Sequence, residues 1–509
     1  MMENILCIIA ILATRAIATP VALNKATDNS IIWGRCDPVF QWFPSSVQCG
    51  NLSVPIDWDK PHGGMFNLSM VKLSRPSHAT SEKLGTLFMN PGGPGSSAAR
   101  YVASMNTTKG PSSEILQSYD IMGVDPRGVG LSAPIRCDSE IWNERVSLFS
   151  QTQDEYDRLV DKNKRLGQSC IERTGELMNH LDTISVAKDY EAVRAALGEA
   201  KFNYLGLSYG TQIGAQYAEL FPDKVGAMVL DGVLQHSQAE SMNILAEGTA
   251  YEAALESFFD WASTSPNSIL KGQDVGKLWH DLLNNATARP LAAPSCDSPA
   301  SNCRMNVTED EIRLNAQQFF LPGSEHAKSW FATVLYSSSQ NFSQDLASKV
   351  AHEPTNQGYI IPVIFVESQR YISVASACQD WSPRLSSFED MQAKMRIAEV
   401  FTPLTRGASQ SWAVQASCIG WPAPVTNPPT KLNVDTGADN PILMVTSTHD
   451  PSTSYTWAVG MLEEIKSGVL LTRDGEGHTS WGRNGKTTEA ITRFLLTKEL
   501  PDPGTVLDS

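Results

Sequence analysis

Short apolar runs alternate with amphipathic stretches along the first half of the chain and again near its end. Each run has the length of a buried strand and ends in turn-forming residues, whereas the stretches between them repeat their apolar positions with a helical period. Strands that alternate with helices in this way form a parallel sheet with crossover helices. The predicted strands of this sheet are 84–90, 119–124, 202–205, 227–230, 441–447 and 469–471.

Two further segments, 51–58 and 65–74, alternate apolar and polar residues as the strands of an antiparallel edge do. The middle of the chain has a different pattern, because helical periods dominate and the capping boxes Thr308-x-x-Glu311 and Ser386-x-x-Glu389 open two predicted helices. We therefore predict an α/β core that is interrupted by a mostly helical cap. The predicted boundaries are 19–235 and 426–509 for the two parts of the core and 236–425 for the cap.

Residues 202–222 form the most informative strand-to-helix transition. The strand leads into Gly206-Leu207-Ser208-Tyr209-Gly210, and an amphipathic helical pattern follows. A G-x-S-x-G turn in this context is typical of a nucleophile elbow, in which the serine sits at a strained backbone position and points away from the core. The alternative is a glycine-rich turn in which Ser208 only caps the helix.

Two backbone donors for an oxyanion are predicted beside this serine. The strand at 84–90 ends in Pro91-Gly92-Gly93-Pro94-Gly95, a cluster whose N–H groups can face a developing negative charge. We assign the first donor to Gly93, with Gly92 as the closest alternative. The second donor is Tyr209, the residue after the serine.

The remaining partners of a catalytic serine follow later strands. Asp450 comes after the strand at 441–447 and His478 after the strand at 469–471, so the order Ser, Asp, His is that of α/β-hydrolases. A serine hydroxyl needs a base to take its proton and a carboxylate to orient that base. We therefore predict Ser208 as the nucleophile, His478 as the base and Asp450 as the acid.

Other ionisable residues lie near this edge of the sheet. Asp231 and Asp474 are rival acids, but Asp450 is favoured because Asp-Pro after a strand makes a rigid turn that aims the side chain. His449 precedes Asp450 on the same loop and is expected to be solvated.

Composition limits the partners of the protein. The 509 residues have 41% hydrophobic content, as soluble globular proteins do, and a formal net charge of -15. This acidic balance, without a cluster of Lys and Arg, argues against nucleic acid as a partner. No C-x-x-C pair or His/Cys group has zinc spacing, so no metal site is predicted.

The cysteines indicate an oxidising compartment. Removal of Cys7 with an N-terminal leader leaves an even number, which is typical of disulfide-bonded secreted proteins. Sequence proximity favours four pairs and leaves other pairings open. The favoured pairs are Cys36 with Cys49, Cys137 with Cys170, Cys296 with Cys303, and Cys378 with Cys418.

Residues 1–18 have the pattern of a secretory signal peptide, since an apolar stretch too short to span a bilayer precedes a small-x-small cleavage site. The alternative is a buried N-terminal strand or helix. N-x-S/T sequons reinforce secretion, and no later stretch reaches membrane-span length. We expect the protein outside the cell and off the membrane after signal cleavage. The predicted glycosylation sites are Asn51, Asn67, Asn106, Asn285, Asn306 and Asn341.

Several motifs together resemble the tripeptidyl aminopeptidase branch of the prolyl iminopeptidase-like serine peptidases, which are α/β-hydrolases. The resemblance extends over residues 30–500, and its most specific parts are the elbow with the VLDGV run after it and the two Cys/Trp motifs. The matching motifs are NPGGPG at 90–95, DPRGVG at 125–130, SYGT at 208–211, VLDGV at 229–233, C-x-D-W at 378–381, C-x-x-W-P at 418–422, Asp450-Pro451 and Gly477-His478.

This resemblance implies hydrolysis of peptide bonds near a free amino terminus by Ser208, Asp450 and His478, without a cofactor. Two departures affect loops that shape the pocket: residues 96–99 are SSAA where the family usually has more glycine, and the family's Asp-Pro-x-Thr-Pro loop is DPSTS at 450–454.

An exopeptidase also needs an anion for the substrate ammonium. Glu240 and Glu247, at the start of the cap, are candidates, and the alternative is that both are exposed acids on a cap helix.

The residues leave other functions of the protein open as well. The same triad serves any acyl group, so an esterase, lactonase or amidase acting on a small acyl substrate is the catalytic alternative. A non-catalytic binding protein of the same fold is the third possibility, against which the complete set of reacting groups argues.

Overall fold

The structure of the protein is a computed structural model that describes residues 30–36, 46–105, 113–297, 301–340, 342–352, 360–382, 385–483 and 485–508. The predicted signal peptide at residues 1–18 lies outside these ranges, as do the sequons at Asn106 and Asn341.

One large sheet forms the centre of the fold. Its described strands lie side by side in the order β1-β2-β3-β5-β4-β6-β7-β10-β11-β12, and β8 and β9 form a separate hairpin-like pair. In chain order the strands are β1 Ile32–Gly34, β2 Val47–Pro55, β3 Met65–Leu73, β4 Gly85–Asn90, β5 Tyr119–Val124, β6 Phe202–Leu207, β7 Val225–Asp231, β8 Leu291–Ala292, β9 Asn306–Val307, β10 Ile442–His449, β11 Gly468–Glu476 and β12 Val506–Asp508.

Helices cover both faces of the sheet and build the segment between β7 and β10. In chain order they are α1 Ala98–Ser104, α2 Ser113–Ser118, α3 Ser139–Asn143, α4 Gln153–Thr174, α5 Thr183–Ala196, α6 Tyr209–Leu220, α7 Glu240–Thr264, α8 Val275–Ala288, α9 Glu309–Ala316, α10 Glu325–Ser339, α11 Ile360–Asp380, α12 Phe388–Phe401, α13 Gln410–Cys418, α14 Tyr455–Met461 and α15 Lys486–Thr497.

The strand directions confirm the predicted mostly parallel sheet. From β5 through β4, β6, β7, β10 and β11 to β12, each strand is parallel to its neighbour, whereas β1, β2 and β3 form the antiparallel edge. The carboxyl ends of β4, β6, β7, β10 and β11 therefore meet at one edge of the sheet. Ligand sites of open α/β sheets lie outside this edge.

The central strands are buried at both faces, which explains their continuous apolar sequence. Every residue of β6 and β7 is buried, as expected for parallel strands covered by helices on both sides. One face packs against α5, α6 and α14 through residues such as Tyr190 and Ile213. The other packs against α1 and α15 through residues such as Val102 and Ile491. Each large apolar side chain buried in this way contributes about 1.5–3 kcal/mol.

The chain leaves the sheet after Asp231 and returns to it at Ile442, and the residues between form the predicted helical cap. The cap has its own apolar core, in which Phe258, Trp279 and Phe331 are fully buried. The predicted cap boundaries, 235/236 and 425/426, fall in the connections before α7 and after α13. Those exact boundaries stay predictions.

The two predicted capping boxes have different outcomes. Thr308 caps α9 and forms the full box with Glu311. The prediction for α12 was wrong by one residue, because Ser387 is the N-cap and its side chain accepts a hydrogen bond from the N–H of Asp390. Ser386 instead donates its hydroxyl hydrogen to the Asp390 carboxylate, at 2.8 Å.

The structure contains the four disulfides that sequence proximity favoured: Cys36–Cys49, Cys137–Cys170, Cys296–Cys303 and Cys378–Cys418. The last of these joins α11 to α13 in the cap. Among the described sequons, each asparagine is exposed to solvent, and glycosylation of them stays a prediction. They are Asn51, Asn67, Asn285 and Asn306.

Within the described parts of the chain, none of the helices combines the length and the apolar character that crossing a membrane requires.

Candidate active site

Ser208 lies at the sharp turn between β6 and α6. Its backbone angles, φ 56 and ψ -126, are in a region that side chains other than glycine rarely adopt. The backbone is held there because the Ser208 N–H donates to the Asp231 carbonyl at 2.9 Å, and the Thr211 N–H donates to the Ser208 carbonyl at 2.8 Å. The predicted elbow is therefore present, and a hydrogen bond to the neighbouring strand β7 holds Ser208 in its strained backbone conformation.

The glycines on either side of Ser208 have no room for a side chain. A Cβ on Gly206 would lie 2.4 Å from the Gly210 carbonyl oxygen, and a Cβ on Gly210 would lie 2.8 Å from the Asn90 carbonyl oxygen. Small residues are required because the strand and the helix cross at van der Waals distance.

His478 follows β11 and is hydrogen-bonded to the carboxylate of Asp450. Its Nδ1 lies 2.8 Å from Oδ2 and 3.0 Å from Oδ1. Asp450 is 1% exposed, and its carboxylate also accepts the N–H groups of Ser452 and Thr453, each at 2.8 Å. A carboxylate held this firmly fixes the histidine with its Nδ1 proton toward Asp450 and its Nε2 free as a base.

The pKa values of this pair move in opposite directions. Burial acts to raise the pKa of the Asp450 carboxyl, but the charge of His478 and the hydrogen bonds to the carboxylate outweigh it and lower that pKa. For His478, burial acts to lower the pKa, whereas the charge and hydrogen bond of Asp450 raise it above its ordinary value. The lowered pKa keeps Asp450 ionised, and the raised pKa makes His478 a stronger base.

Gly232 brings the imidazole of His478 next to the elbow. A Cβ on Gly232 would lie 3.2 Å from His478 Cε1, and Gly232 follows Asp231, which pairs with Leu207 of β6 in the sheet. The ring therefore lies one strand away from Ser208. Among the described residues, no hydrogen bond links the Ser208 hydroxyl to His478. In substrate-free enzymes this contact is often long, and it tightens when the substrate binds.

The glycine cluster after β4 lies directly beside Ser208. A Cβ on Gly92 would lie 2.9 Å from the Ser208 Cβ, but the Gly92 N–H already donates to the Asn90 side chain at 2.8 Å. Gly93 lines the same cavity as Ser208, which favours Gly93 over Gly92 as an oxyanion donor. The Tyr209 N–H is at the first position of α6, where the helix supplies no acceptor.

The rival residues have other partners. The Asp231 carboxylate accepts the N–H groups of Ser480 at 2.8 Å and Trp481 at 2.6 Å, so it holds the loop that follows His478. The Asp474 carboxylate accepts the Thr448 hydroxyl. His449 is exposed, as predicted.

A cavity of about 80 Å³ lies above Ser208, between the core and the cap. Glu247 from α7 reaches this cavity although it is only 2% exposed. Its carboxylate accepts hydrogen bonds from the Gln317 side chain at 2.8 Å and from the Ser411 N–H at 2.7 Å. Burial raises the pKa of Glu247 to about 6, against the opposing effect of these hydrogen bonds. In the described part of the chain, no Lys, Arg or His forms an ion pair with it.

Glu240, the other predicted acid, has a different environment. Glu240 is the first residue of α7, two turns before Glu247. It is buried and forms an ion pair with Lys394 at 3.1 Å. It does not line the cavity above Ser208.

Three buried polar atoms of residues around this cavity have no hydrogen-bond partner among the described residues: Asn243 Oδ1, Gln415 Oε1 and the Trp381 indole N–H. Such groups are rare because each costs the free energy of its lost hydration, about 1–3 kcal/mol. The amide orientation of Gln415 is fixed because its Nε2 donates to the Glu240 carbonyl at 3.1 Å. These two acceptors and one donor belong to residues that line the cavity.

The sequence analysis missed Asn243 and Gln415. Asn243 lies four residues before Glu247, on the same face of α7, and this spacing was the available signal. Gln415 reaches the cavity only through the packing of α13, for which the sequence carries no local signal.

The side chain of Tyr209 belongs to a buried network that joins the elbow to the cap. Its hydroxyl lies 2.6 Å from the Thr183 hydroxyl, which donates to the Asp380 carboxylate at 2.5 Å. Asn427 donates to the same carboxylate at 2.8 Å. Burial raises the pKa of Asp380 to about 7, against the hydrogen bonds from Thr183. The C-x-D-W motif thereby connects α11 to the start of α5.

No group of three or more His, Cys, Asp or Glu side chains suited to a metal ion occurs among the residues that the structure describes.

Two family models match the chain. Residues 85–289 match one described as alpha/beta hydrolase fold, and residues 402–507 match one described as TAP-like protein.

Similar proteins include the "Serine protease Hip1" of Mycobacterium tuberculosis (strain H37Rv), which is 29% identical over 483 residues, or 91% of this chain and 87% of that protein. The "Tripeptidyl aminopeptidase" of Streptomyces lividans is 28% identical over 492 residues, or 94% of this chain and 86% of that protein. The "Carboxylesterase B" of Mycobacterium tuberculosis (strain CDC 1551) is 27% identical over 471 residues, or 90% of this chain and 85% of that protein. With the sheet and the elbow described above, these matches show that the chain has the α/β-hydrolase fold and that its residues 402–507 are similar to the TAP-like proteins.

Proposed function

We propose that the protein is a secreted serine peptidase that cleaves peptide bonds close to a free amino terminus. The observation that carries this proposal is the position of the Asp450–His478 pair beside the strained Ser208, below a cavity that holds the buried carboxylate Glu247. The relatives named serine protease and tripeptidyl aminopeptidase support the same reaction class.

The proposed reaction is acyl transfer in two halves. The Ser208 oxygen attacks the peptide carbonyl carbon while His478 Nε2 takes the hydroxyl proton, and Asp450 stabilises the imidazolium that forms. The N–H groups of Gly93 and Tyr209 donate to the resulting oxyanion. The intermediate collapses to an acyl-enzyme, His478 returns its proton to the leaving amine, and a water molecule then releases the acid by the same steps.

A free amino terminus suits the polar groups that surround the cavity. An ammonium group carries three N–H donors, and the residues around the cavity supply three acceptor groups: the carboxylate of Glu247 and the unpartnered amide oxygens of Asn243 and Gln415. Glu247 carries a buried charge without a cationic partner among the described residues, and binding of an ammonium would supply one. Glu240 is less suited, because Lys394 already pairs with it.

A small-acyl hydrolase is the second candidate, favoured by the relative named Carboxylesterase B. A panel of substrates separates the two functions: a chromogenic tripeptide anilide with a free amino terminus, the same compound N-acetylated, and p-nitrophenyl butyrate. We expect the free tripeptide to have a kcat/KM at least about tenfold above that of its acetylated form. Equal rates for both forms, with faster ester hydrolysis, would favour the esterase.

Fluorophosphonate labelling addresses the non-catalytic alternative. We expect the wild-type protein to be labelled covalently at Ser208 and the Ser208→Ala variant to remain unlabelled. Absence of labelling in a folded wild-type protein would contradict catalysis by this serine.

Secretion is supported by the four disulfides, which persist in oxidising compartments. The test is the mass of the protein recovered from culture medium, before and after treatment with an N-glycosidase. A mature chain that begins near residue 19 and loses mass on deglycosylation is expected. A protein that stays inside the cell and still carries residues 1–18 would contradict secretion.

A further inference from the structure

A second cavity, of about 430 Å³, lies between the core and the cap and shares no lining residue with the cavity above Ser208. The connection after α3 and the helix α4 form its core side, and α9, α11 and α13 contribute to its cap side. A molecule bound there would contact both parts of the protein.

Positive charge is in excess around this cavity. Arg145, Lys162, Arg304 and Lys349 line it, and Glu311 is the carboxylate that pairs with both Arg145, at 3.1 Å, and Arg304, at 3.4 Å. One carboxylate is therefore shared between two guanidinium groups.

The other acids at the cavity are occupied by cations that do not line it. Glu144 pairs with Arg165 at 2.6 Å, and Asp310 pairs with Arg313 at 2.7 Å. The charge of Glu144 still acts on Lys162, where it opposes the lowering of the lysine pKa.

The Lys162 ammonium has a single hydrogen-bond partner among the described residues. Its ammonium donates to one neutral acceptor, the Glu144 carbonyl oxygen, at 2.8 Å. An ammonium has three donors, so two remain for a ligand. Burial, followed by the nearby charge of Arg304, lowers the pKa of Lys162 to about 8. The charge of this residue is thus costly at this position and would be stabilised by an anion.

The walls beside these cations are apolar. Trp142, whose ring lies edge-on to Tyr371 with centroids 5.3 Å apart, forms one wall. The other apolar residues of the lining are Val146, Leu148, Leu166, Leu314 and Val374. The lining of the cavity therefore combines cationic and apolar side chains.

We propose that this cavity binds an organic carboxylate with an apolar or aromatic body, with its carboxylate at Lys162 and Arg304 and its body against Trp142 and the neighbouring leucines. A small aliphatic or aryl acid and the C-terminal carboxylate of a peptide share this chemistry. Inorganic anions do not, because they would leave the apolar walls unfilled.

The test measures binding by calorimetry and melting temperature on the full chain carrying Ser208→Ala, which prevents turnover of peptide ligands. The probes are 4-phenylbutyrate, its neutral analogue 4-phenylbutan-1-ol, N-acetyl-Leu-Phe, its C-terminal amide, and inorganic phosphate. We expect 4-phenylbutyrate to raise the melting temperature and to bind at least about tenfold more tightly than the alcohol, since a charge-assisted hydrogen bond contributes at least this factor. If the occupant is a peptide terminus, N-acetyl-Leu-Phe binds more tightly than 4-phenylbutyrate; if it is a small acid, the order is reversed.

Lys162→Met assigns the binding to this cavity, and Lys164→Met, an exposed position on the same helix, is the matched control. Lys162→Met should weaken carboxylate binding at least about tenfold without lowering the melting temperature of the ligand-free protein, because it removes a costly charge. Lys164→Met should change neither property. If Lys162→Met does not fold, Arg304→Gln provides the same comparison. Equal binding of the acid and the alcohol, a phosphate effect as large as that of the acid, or unchanged binding in the Lys162 and Arg304 variants would overturn the proposal.

Discussion

The hydroxyl group of Thr453 donates a 3.0 Å hydrogen bond to Oδ2 of Asp450, the same oxygen that lies 2.8 Å from His478 Nδ1. Thr453 is three residues beyond Asp450, in the DPSTS loop at 450–454. Thr453 is therefore a positioning residue for the Asp450–His478 pair.

Thr453→Val removes this hydrogen bond and keeps the shape of the side chain. We expect kcat/KM to fall about tenfold. Loss of one hydrogen bond to a buried charge costs about 1.5–3 kcal/mol, and part of this cost raises the free energy of the transition state. The Asp450 carboxylate would then concentrate more negative charge on His478 and raise the pKa of the imidazole further, so the acid limb of the pH–rate profile should move to higher pH. Thr453→Ser retains the hydroxyl and should restore both the rate and the profile. An unchanged profile in Thr453→Val would show that the hydroxyl does not act on the pair.

Gly232→Ala tests the placement of the imidazole beside the elbow. The added methyl group would lie 3.2 Å from His478 Cε1, at a residue with φ +73. We expect a fall in kcat of about ten- to a hundredfold, because small displacements of a catalytic base have effects of this size. Single-turnover kinetics separate this loss from weaker binding.

Gly437→Ala is the matched control for this substitution. Gly437 has nearly the same backbone angle, φ +75, but nothing lies within 4 Å of an added methyl group. Both variants should lose stability from the strained backbone, and only Gly232→Ala should lose activity. Equal activity of the two variants would place His478 farther from this glycine than the structure does.

The elbow and the order of the reacting groups were predictable because they depend on local turn chemistry. Ser208, Asp450 and His478 each follow a short apolar run, and parallel strands bring such positions to one edge of a sheet. The contacts that organise the cavity were not predictable in this way. Asn243 and Gln415 meet over Ser208 only because α7 and α13 pack together, and no local pattern encodes a contact between residues so far apart in the sequence.

The ends of the strands were also predictable only where the local sequence pattern marks them. The run at 469–471 predicts only the first part of β11, which spans Gly468–Glu476, because the later residues of this strand are polar. The shortest edge strands, β1 and β12, were missed, since three residues give no measurable period.

Glu247→Gln tests the proposed amino-terminal anchor. We expect KM for peptides with a free amino terminus to rise at least about tenfold, because a charge-assisted hydrogen bond to the ammonium is lost. Hydrolysis of p-nitrophenyl esters should be little changed. Glu240→Gln on the same helix is the matched control, and its effect on KM should be small because Lys394 neutralises Glu240. A rise in KM with Glu240→Gln but not with Glu247→Gln would reassign the anchor.

The pH dependence of Glu247 gives a second measurement. Burial raises the pKa of this carboxyl to about 6 from an ordinary value of 4.5. The anion needed for ammonium binding is therefore lost as the pH falls through about 6, and the wild-type KM for free peptides should rise in this range. Because a raised pKa means that ionisation destabilises the folded state, Glu247→Gln should raise the melting temperature at pH 7 and leave it unchanged at pH 4, below both pKa values. The same pH dependence of KM in the variant would exclude Glu247 as its source.

The disulfide Cys378–Cys418 joins α11, which ends directly before Trp381, to α13, which carries Gln415, and both residues line the cavity above Ser208. Replacing both cysteines by serine frees α11 from α13, so the cavity loses part of its preorganised shape. We expect a decrease in kcat/KM for peptides of about tenfold or more, together with a loss of about 3 to 4 kcal/mol in the free energy of unfolding, as the loop-closure relation predicts.

The Cys36–Cys49 disulfide, at the antiparallel edge of the sheet, provides the control for this experiment. Its removal should lower the free energy of unfolding by about 3 kcal/mol but leave kcat/KM unchanged when both variants are assayed well below their melting temperatures. The comparison distinguishes a specific effect on the cavity from general destabilisation, because both variants lose one crosslink and only one of them loses a crosslink beside the site. Equal kcat/KM in the two variants would show that the packing of α11 against α13 holds the cavity without the disulfide.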